Sequence, residues 1–318
     1  MARPVWLLTD ALMDTHRSDA HPERPARREA VATGVRDAAG DRLVEATFEP
    51  ATDDEILGIH DDAYLALLVE ADARGGGWLD SDTYVVPGSL AAARAAAGAS
   101  LRAATAVASG EAEVAFAVVR PPGHHAAAAR GSGFCLLNNV AIAAAGLRRA
   151  GLAQRIAIVD WDVHHGDGTQ ELFDADPDVF FASTHQSPFY PGTGWPDETG
   201  TGLAAGTMHN RTLADGEGDE AFLAAWRDEL LPAIEAFAPQ AILVSAGYDA
   251  HRADPLASLQ LTEDGYAEVS RALGALSRRL GLPGVALTLE GGYDLDALRG
   301  AAAATVRGIL AGRATARD

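Results

Sequence analysis

Asp160-Trp161-Asp162-Val163-His164-His165-Gly166-Asp167-Gly168 crowds three carboxylates and two imidazoles directly behind the apolar run Ile156–Val159. If the extended backbone of that run continues, Asp160, Asp162 and His164 point to one side. Acids gathered there are costly unless a cation lies between them. An Asp-x-His pair supplies two ligands for a divalent metal, and a third carboxylate would complete a set with a position left open for water. The plainer alternative is a salt-bridged structural cluster near a turn.

Three other fragments have the same form, an apolar run ending in chemistry. Val114–Val119 leads to Arg120-Pro121-Pro122-Gly123-His124-His125, where Pro-Pro-Gly cannot continue a ladder and two imidazoles follow the turn. Ala241–Ser245 leads to Ala246-Gly247-Tyr248-Asp249-Ala250-His251, and Val285–Leu289 leads to Glu290-Gly291-Gly292-Tyr293. Alone, Asp249 could cap a helix and Tyr293 could pack over a turn. In a parallel sheet, however, all four ends lie on one edge, where open α/β folds bind ligands. The set is then complete for amide hydrolysis. A metal held by Asp162, His164 and Asp249 would activate water and polarise a carbonyl, a histidine would carry the proton, and the tyrosine hydroxyl would stabilise the oxyanion. No Gly-x-Ser-x-Gly turn or His-Glu-x-x-His helix supports a serine hydrolase or a zincin.

The elements that must position these residues alternate along the chain. Strands are expected at Val5–Thr9, Leu43–Phe48, Val114–Val119, Ile156–Val159, Val179–Ala182, Ala241–Ser245 and Val285–Leu289, several of them apolar on both faces. Helices are expected at Leu90–Ser109, Asn139–Ala150, Glu220–Phe237, Asp264–Leu280 and Leu295–Leu310. This is the pattern of an α/β fold with a parallel sheet. Arg74–Asp82 and His185–Gly206 read as long loops, which in compact domains tend to line sites. The glycines at Gly168 and from Gly200 to Gly206 have the wrong spacing for a phosphate loop.

Composition bounds the rest. The chain has 318 residues, 48% hydrophobic, enough for one large domain or two small ones. Its net charge of −20, with arginine as the sole basic side chain, argues against nonspecific nucleic-acid binding, although a solubilising surface explains it equally. Cys135 is the only cysteine, so neither an internal disulfide nor a cysteine-rich metal site is expected. No apolar run approaches the roughly 20 residues of a membrane span, and Val5–Leu8 is too short for a signal-peptide core. A cytoplasmic protein is the expectation.

Five motifs in order resemble the histone deacetylase superfamily, which includes lysine deacetylases, deacetylase-like amidohydrolases and acetylpolyamine amidohydrolases. They are Arg120–His125, Gly133–Asn139, Asp160–Gln170, Ala246–Asp249 with Asp254-Pro255-Leu256, and Leu289–Tyr293. His21-Pro22-Glu23-Arg24-Pro25 is similar to the class II branch. The resemblance implies a single arginase/deacetylase-like α/β domain over 1–318, with a central eight-stranded parallel sheet flanked by helices. It implies Asp162, His164 and Asp249 as ligands of Zn²⁺, with Fe²⁺ as the alternative, and His125 as general base and acid. His124 becomes its electrostatic partner, Asp160 and Asp167 the carboxylates behind the two histidines, and Tyr293 the group that polarises the acetyl carbonyl. Phe134 and Tyr190 would flank an acyl-lysine channel whose lining extends to Gly133 and Leu256, and Asp82 would grip the substrate backbone at the rim. A potassium site is implied at backbone carbonyls around Asp160, Asp162, His164, Ser183 and Thr184.

The implied partners are an acetylated lysine peptide or protein, or an acetylated small amine. Neither nucleic acid nor membrane is expected, and a homo-oligomer is left open. Asp167 stands where the class II branch commonly has Asn, and Leu256 where the polyamine-specific branch has Glu. A silent acyl-binding module is disfavoured by the intact His125, Tyr293 and ligand set. A ureohydrolase is disfavoured because Ala250-His251 follows Asp249 instead of another acid.

Overall fold

A computed structural model describes residues 3–19 and 21–314; Met1, Ala2, Ala20 and Thr315–Asp318, which belong to the expected 1–318 range, lie outside the described residues. Eight strands form one all-parallel sheet: β1 (Val5–Leu8), β2 (Leu43–Glu45), β5 (Val114–Ala117), β6 (Ile156–Asp160), β7 (Val179–Gln186), β8 (Met208–Leu213), β9 (Ala241–Ala246) and β10 (Val285–Leu289). The remaining two, β3 (Gly77–Trp78) and β4 (Tyr84–Val85), make a small antiparallel hairpin. The sheet order is β2-β1-β5-β10-β9-β6-β7-β8.

Among the described residues ten α-helices accompany the strands: α1 (Ala26–Ala39), α2 (Asp53–Ile56), α3 (Asp62–Ala73), α4 (Ser89–Ala108), α5 (Asn139–Arg149), α6 (Asp167–Phe173), α7 (Asp219–Ala225), α8 (Leu231–Phe237), α9 (Glu263–Arg279) and α10 (Leu295–Ala314). Strand residues alternate between two cores, as the two-residue period requires. Val114, Phe116, Ala157, Val159, Ile242, Val244, Val285 and Leu287 pack on one face with residues of α1 and α7–α10. Ala115, Ala117, Ile156, Ile158, Leu243 and Ala286 pack on the other with α4 and α5. Being covered on both faces explains the near-continuous apolar strand sequences.

All seven expected strands exist, several with shorter or longer bounds. The eighth, β8, lies at the sheet edge with only partly buried His209, Arg211 and Thr212 between buried Met208, Asn210 and Leu213, so its sequence lacks the apolar run of a central strand. The expected loop Arg74–Asp82 holds β3, and the expected loop His185–Gly206 begins with the last two residues of β7. The expected helix Glu220–Phe237 carries a π-helical turn at Trp226–Leu230, where the Leu231 amide reaches back to the Trp226 carbonyl. Pro232 follows, and its missing N–H disfavours the regular α ladder there.

Candidate active site

The sheet order makes the four chemical fragments neighbours. β5, β10, β9 and β6 are adjacent, all parallel, and each releases its fragment at its carboxyl end. Strands about 4.8 Å apart thus bring residues more than a hundred positions apart into one cavity of about 260 Å³. Asp82, His124, His125, Gly133, Phe134, Asp162, His164, Tyr190, Leu256 and Tyr293 all line it. Asp160, Asp167 and Asp249 stand one contact behind, on His124, His125 and His164.

The extended run stops at Asp160, which differs from the simple alternation expected through His164. Turns take over: Asp160 Oδ1 accepts from the Asp162 amide at 3.1 Å, and Asp162 Oδ1 accepts from the His164 amide at 2.9 Å. Such aspartate-to-backbone bonds favour turns over strand. They direct Asp160 toward His124 and leave Asp162 and His164 to meet Asp249.

Asp162, His164 and Asp249 each offer one ligand atom, all within 4.8 Å of one another. His164 Nδ1 lies 3.0 Å from Asp162 Oδ1 and 3.2 Å from Asp249 Oδ2. Asp249 Oδ1 accepts from the Val163 amide at 2.9 Å, but its buried Oδ2 makes no hydrogen bond. An orphaned oxygen on a fully buried carboxylate is rare unless a cation or water uses it. Backbone space is kept open beside the cluster: a Cβ on Gly291 would fall 2.1 Å from Asp249 Oδ2 and 2.6 Å from Asp162 Oδ2. Burial works against a charged His164, yet Asp162 and Asp249 raise it to about 10. The cluster therefore draws positive charge, and its two carboxylates and imidazole fit a divalent ion.

The two neighbouring histidines differ. His124 Nδ1 lies 3.0 Å from Asp160 Oδ2; burial alone would depress it, but Asp160 and Asp162 hold it well above its ordinary value. His125 Nδ1 lies 2.7 Å from Asp167 Oδ1, and burial, with His124 beside it, lowers it to about 4 against the pull of Asp167. His125 is thus a neutral imidazole with its Nδ1 on a carboxylate, the arrangement that leaves Nε2 available as a base. Gly133 abuts this ring, since a Cβ there would sit 2.4 Å from His125 Cδ2.

Tyr293 follows Gly291-Gly292, where Gly292 has φ +113°, and burial keeps its hydroxyl protonated well above the ordinary tyrosine range. Its amide donates to Asp254 Oδ2 at 2.7 Å, and Arg27 Cζ lies 4.8 Å from its ring centroid. The aromatic walls stand on different sides: Tyr190 is edge-on to His125 and His164, at 5.2 and 6.0 Å between centroids, whereas Phe134 is edge-on to Tyr293 at 6.0 Å. Tyr190 and Leu256 are partly exposed at the mouth.

Several buried groups that shape the site carried no sequence assignment. Glu290 accepts from the amides of Gly123 and His124 at 2.6 and 3.1 Å and from the Ser245 hydroxyl at 3.1 Å, tying together the ends of β5, β9 and β10. Arg27 donates to the Glu290 and Gly292 carbonyls and pairs with Glu23 at 3.0 Å, while Glu23 also binds Arg120. Phe189 stacks on His164 at 5.3 Å. A carboxylate at the end of the apolar run Val285–Leu289 was a usable signal for Glu290. Glu23, four residues earlier, was the local half of the Arg27 arrangement, but its two carbonyl partners lie more than 260 residues away and had no local mark.

Known proteins resemble this chain in sequence and in fold. Residues 21–309 match the histone deacetylase domain. The chain is 42% identical over 301 residues to a probable deacetylase of Archaeoglobus fulgidus, covering 94% of this chain and 82% of that one. It is 37% identical to histone deacetylase 14, chloroplastic, of Arabidopsis thaliana, covering 97% and 77%. It is 35% identical to a histone deacetylase-like amidohydrolase of Pseudomonas aeruginosa, covering 86% and 73%. The crystal structure of the HDA15 HD domain aligns with a TM-score of 0.91 at 36% identity, covering 97% of this chain and 88% of that one. With sequence and fold agreeing over nearly the whole length, the chain belongs to the histone deacetylase family.

Proposed function

We propose that this protein is a zinc-dependent amidohydrolase that removes acetyl groups from lysine-like amines. The observation that carries the reading is the convergence, in one cavity, of a three-ligand cluster, a neutral His125 backed by Asp167, and a protonated Tyr293. Asp162, His164 and Asp249 would hold the metal, Zn²⁺ or alternatively Fe²⁺, which supplies Lewis acidity to a carbonyl and acidifies water.

The chain's own groups do the rest. His125 takes a proton at Nε2 and returns it to the leaving amine, with Asp167 fixing the ring through Nδ1. His124, held cationic by Asp160, favours negative charge forming nearby. Tyr293 donates its hydroxyl to the developing oxyanion. Phe134 and Tyr190 flank the chain that carries the acetyl group, and Asp82, at the rim, accepts from the substrate backbone. The reading also includes a potassium site at backbone carbonyls where β6 and β7 pair, with Asp160 in register with Ser183. It places the enzyme in the cytoplasm; no helix among the described residues is long and apolar enough to cross a membrane.

An acetylated polyamine or other small amide is the alternative substrate, since the mouth also has Asp82 for a distal ammonium. The test assays acetyl-lysine peptides, free acetyl-lysine and acetylated polyamines side by side, with metal analysis of wild type and Asp162→Ala. About one divalent ion per chain, lost in the variant together with activity, is expected. Wild-type activity without bound metal would overturn the metal assignment.

A further inference from the structure

We propose that His21 is a positioning residue that fixes the rim carboxylate Asp82 and the wall ring Phe134 in one register, so that the enzyme grips the main chain beside an acylated lysine. This rests on the functional reading above and deepens it toward peptide substrates.

Asp82 sits at the tip of the β3–β4 hairpin, whose base is Gly75-Gly76-Gly77, with φ of +97°, +105° and +158°. A three-glycine base costs the chain conformational entropy and does not by itself aim the tip. The tip is aimed by directed contacts instead. His21 Nδ1 accepts from the Glu23 amide at 3.1 Å, so Nε2 carries the proton and donates to the Asp82 carbonyl at 3.1 Å. The neighbouring Thr83 hydroxyl accepts from the Phe134 amide at 3.1 Å. Phe134 itself has φ +69°, a left-handed conformation that a non-glycine residue keeps only when its surroundings impose it.

The His21 ring joins both walls of this arrangement. It is edge-on to Phe134 at 4.5 Å and to Tyr84 of the hairpin at 4.9 Å between centroids. Beyond His21 an open cleft of about 580 Å³ runs past Arg24 and Pro255, so among the described residues no packed element backs the ring on that side. Asp80 Oδ1 accepts from the Asp82 and Thr83 amides at 3.0 and 2.7 Å and keeps the turn's own shape, so loss of the imidazole unties that turn from the His21 segment, whereas the Asp162–His164–Asp249 cluster, set by other strands, stays in place.

The experiment compares wild type, His21→Phe, His21→Gln, Asp82→Ala and the His21→Phe/Asp82→Ala double variant, all metal-loaded, on an acetyl-lysine peptide and on an acetylated monoamine lacking a peptide backbone. His21→Phe keeps an aromatic ring but removes the donor, and His21→Gln restores a donor. The expected result is a KM for the peptide raised about 10-fold in His21→Phe with kcat within about twofold, and a KM for the monoamine changed by less than about twofold. His21→Gln recovers most of the loss, and His21→Phe adds less than about twofold in the Asp82→Ala background. Equal losses on both substrates, a fall in kcat alone, or additivity with Asp82→Ala would overturn the role of His21 while leaving the catalytic reading standing. A wild type that hydrolyses none of the acetylated compounds would overturn that reading, and this role with it.

Discussion

His124–Asp160 and His125–Asp167 are the same two residue types joined through the same ring nitrogen, and they end in opposite states. His124 is held well above the ordinary imidazole value, whereas His125 falls to about 4. Burial opposes charge on both rings. The difference lies in what else is near. His124 faces fully buried Asp160 and has Asp162 at 3.8 Å, so two anions in a dry setting pay for its charge. His125 has one carboxylate, partly exposed and shared with Arg130 at 3.5 Å, and a cationic neighbour in His124. One sequence pair thereby yields a cationic and a neutral imidazole, the division of labour that the proposed acid–base chemistry would use.

The largest expected effect breaks the base side. His125→Ala and Tyr293→Phe each lower turnover on an acetyl-lysine peptide by about 100-fold or more, read by steady-state kinetics. His124→Ala costs less, about 10-fold, because it removes charge stabilisation and leaves the proton carrier in place. A reversed ranking of the two histidines would assign the roles the other way round.

Asp167→Asn sharpens the comparison through pH. The Asp167 bond raises His125, so its loss lowers His125 further and moves the acidic limb of the kcat/KM profile to lower pH, with about a 10-fold lower plateau. An acidic limb shifted upward would show that another group controls it. Arg130→Ala is the smallest effect: the guanidinium is 47% exposed, so screening should keep the change in kcat/KM below about threefold.

Stability should follow the buried neutral histidines outside the candidate ligand set. Burial lowers His60 and His165 to about 4. In each case the unfolded chain binds a proton that the folded one refuses. Stability is therefore complete above the unfolded value of about 6.5 and is lost as pH falls toward 4, by up to about 1.4 kcal/mol per pH unit per histidine. Urea unfolding across this window checks it, and His60→Gln should flatten the slope.

The candidate site motifs stood out because each is local: a strand that ends, then residues whose chemistry makes poor sense without a function. Central strands were legible too, since burial on both faces writes a continuous apolar run. β8 was not, as an edge strand needs only one good face. Helix α1 was hidden by Arg27, Arg28 and Glu29 in its first turns; Arg27 and Arg28 are buried through ion pairs with Glu23, four residues before, and Asp14, and charge in those positions reads as a solvated face. Glu290 and Asp254 were visible as parts of motifs, but their raised carboxyls, both pushed up to about 7, come from burial beside other acids.

By itself the sequence determined the strand-and-helix alternation, the four chemical strand ends and the identity of the three candidate ligands, because spacing and residue type are local quantities. Only the tertiary structure decided that β5, β10, β9 and β6 stand side by side, that Asp160 turns to His124 while Asp249 keeps an unbonded oxygen, and that of two like histidines one is held cationic and the other neutral. Those outcomes depend on strand order and on how dry each site is, and both are set by contacts between residues far apart in the chain.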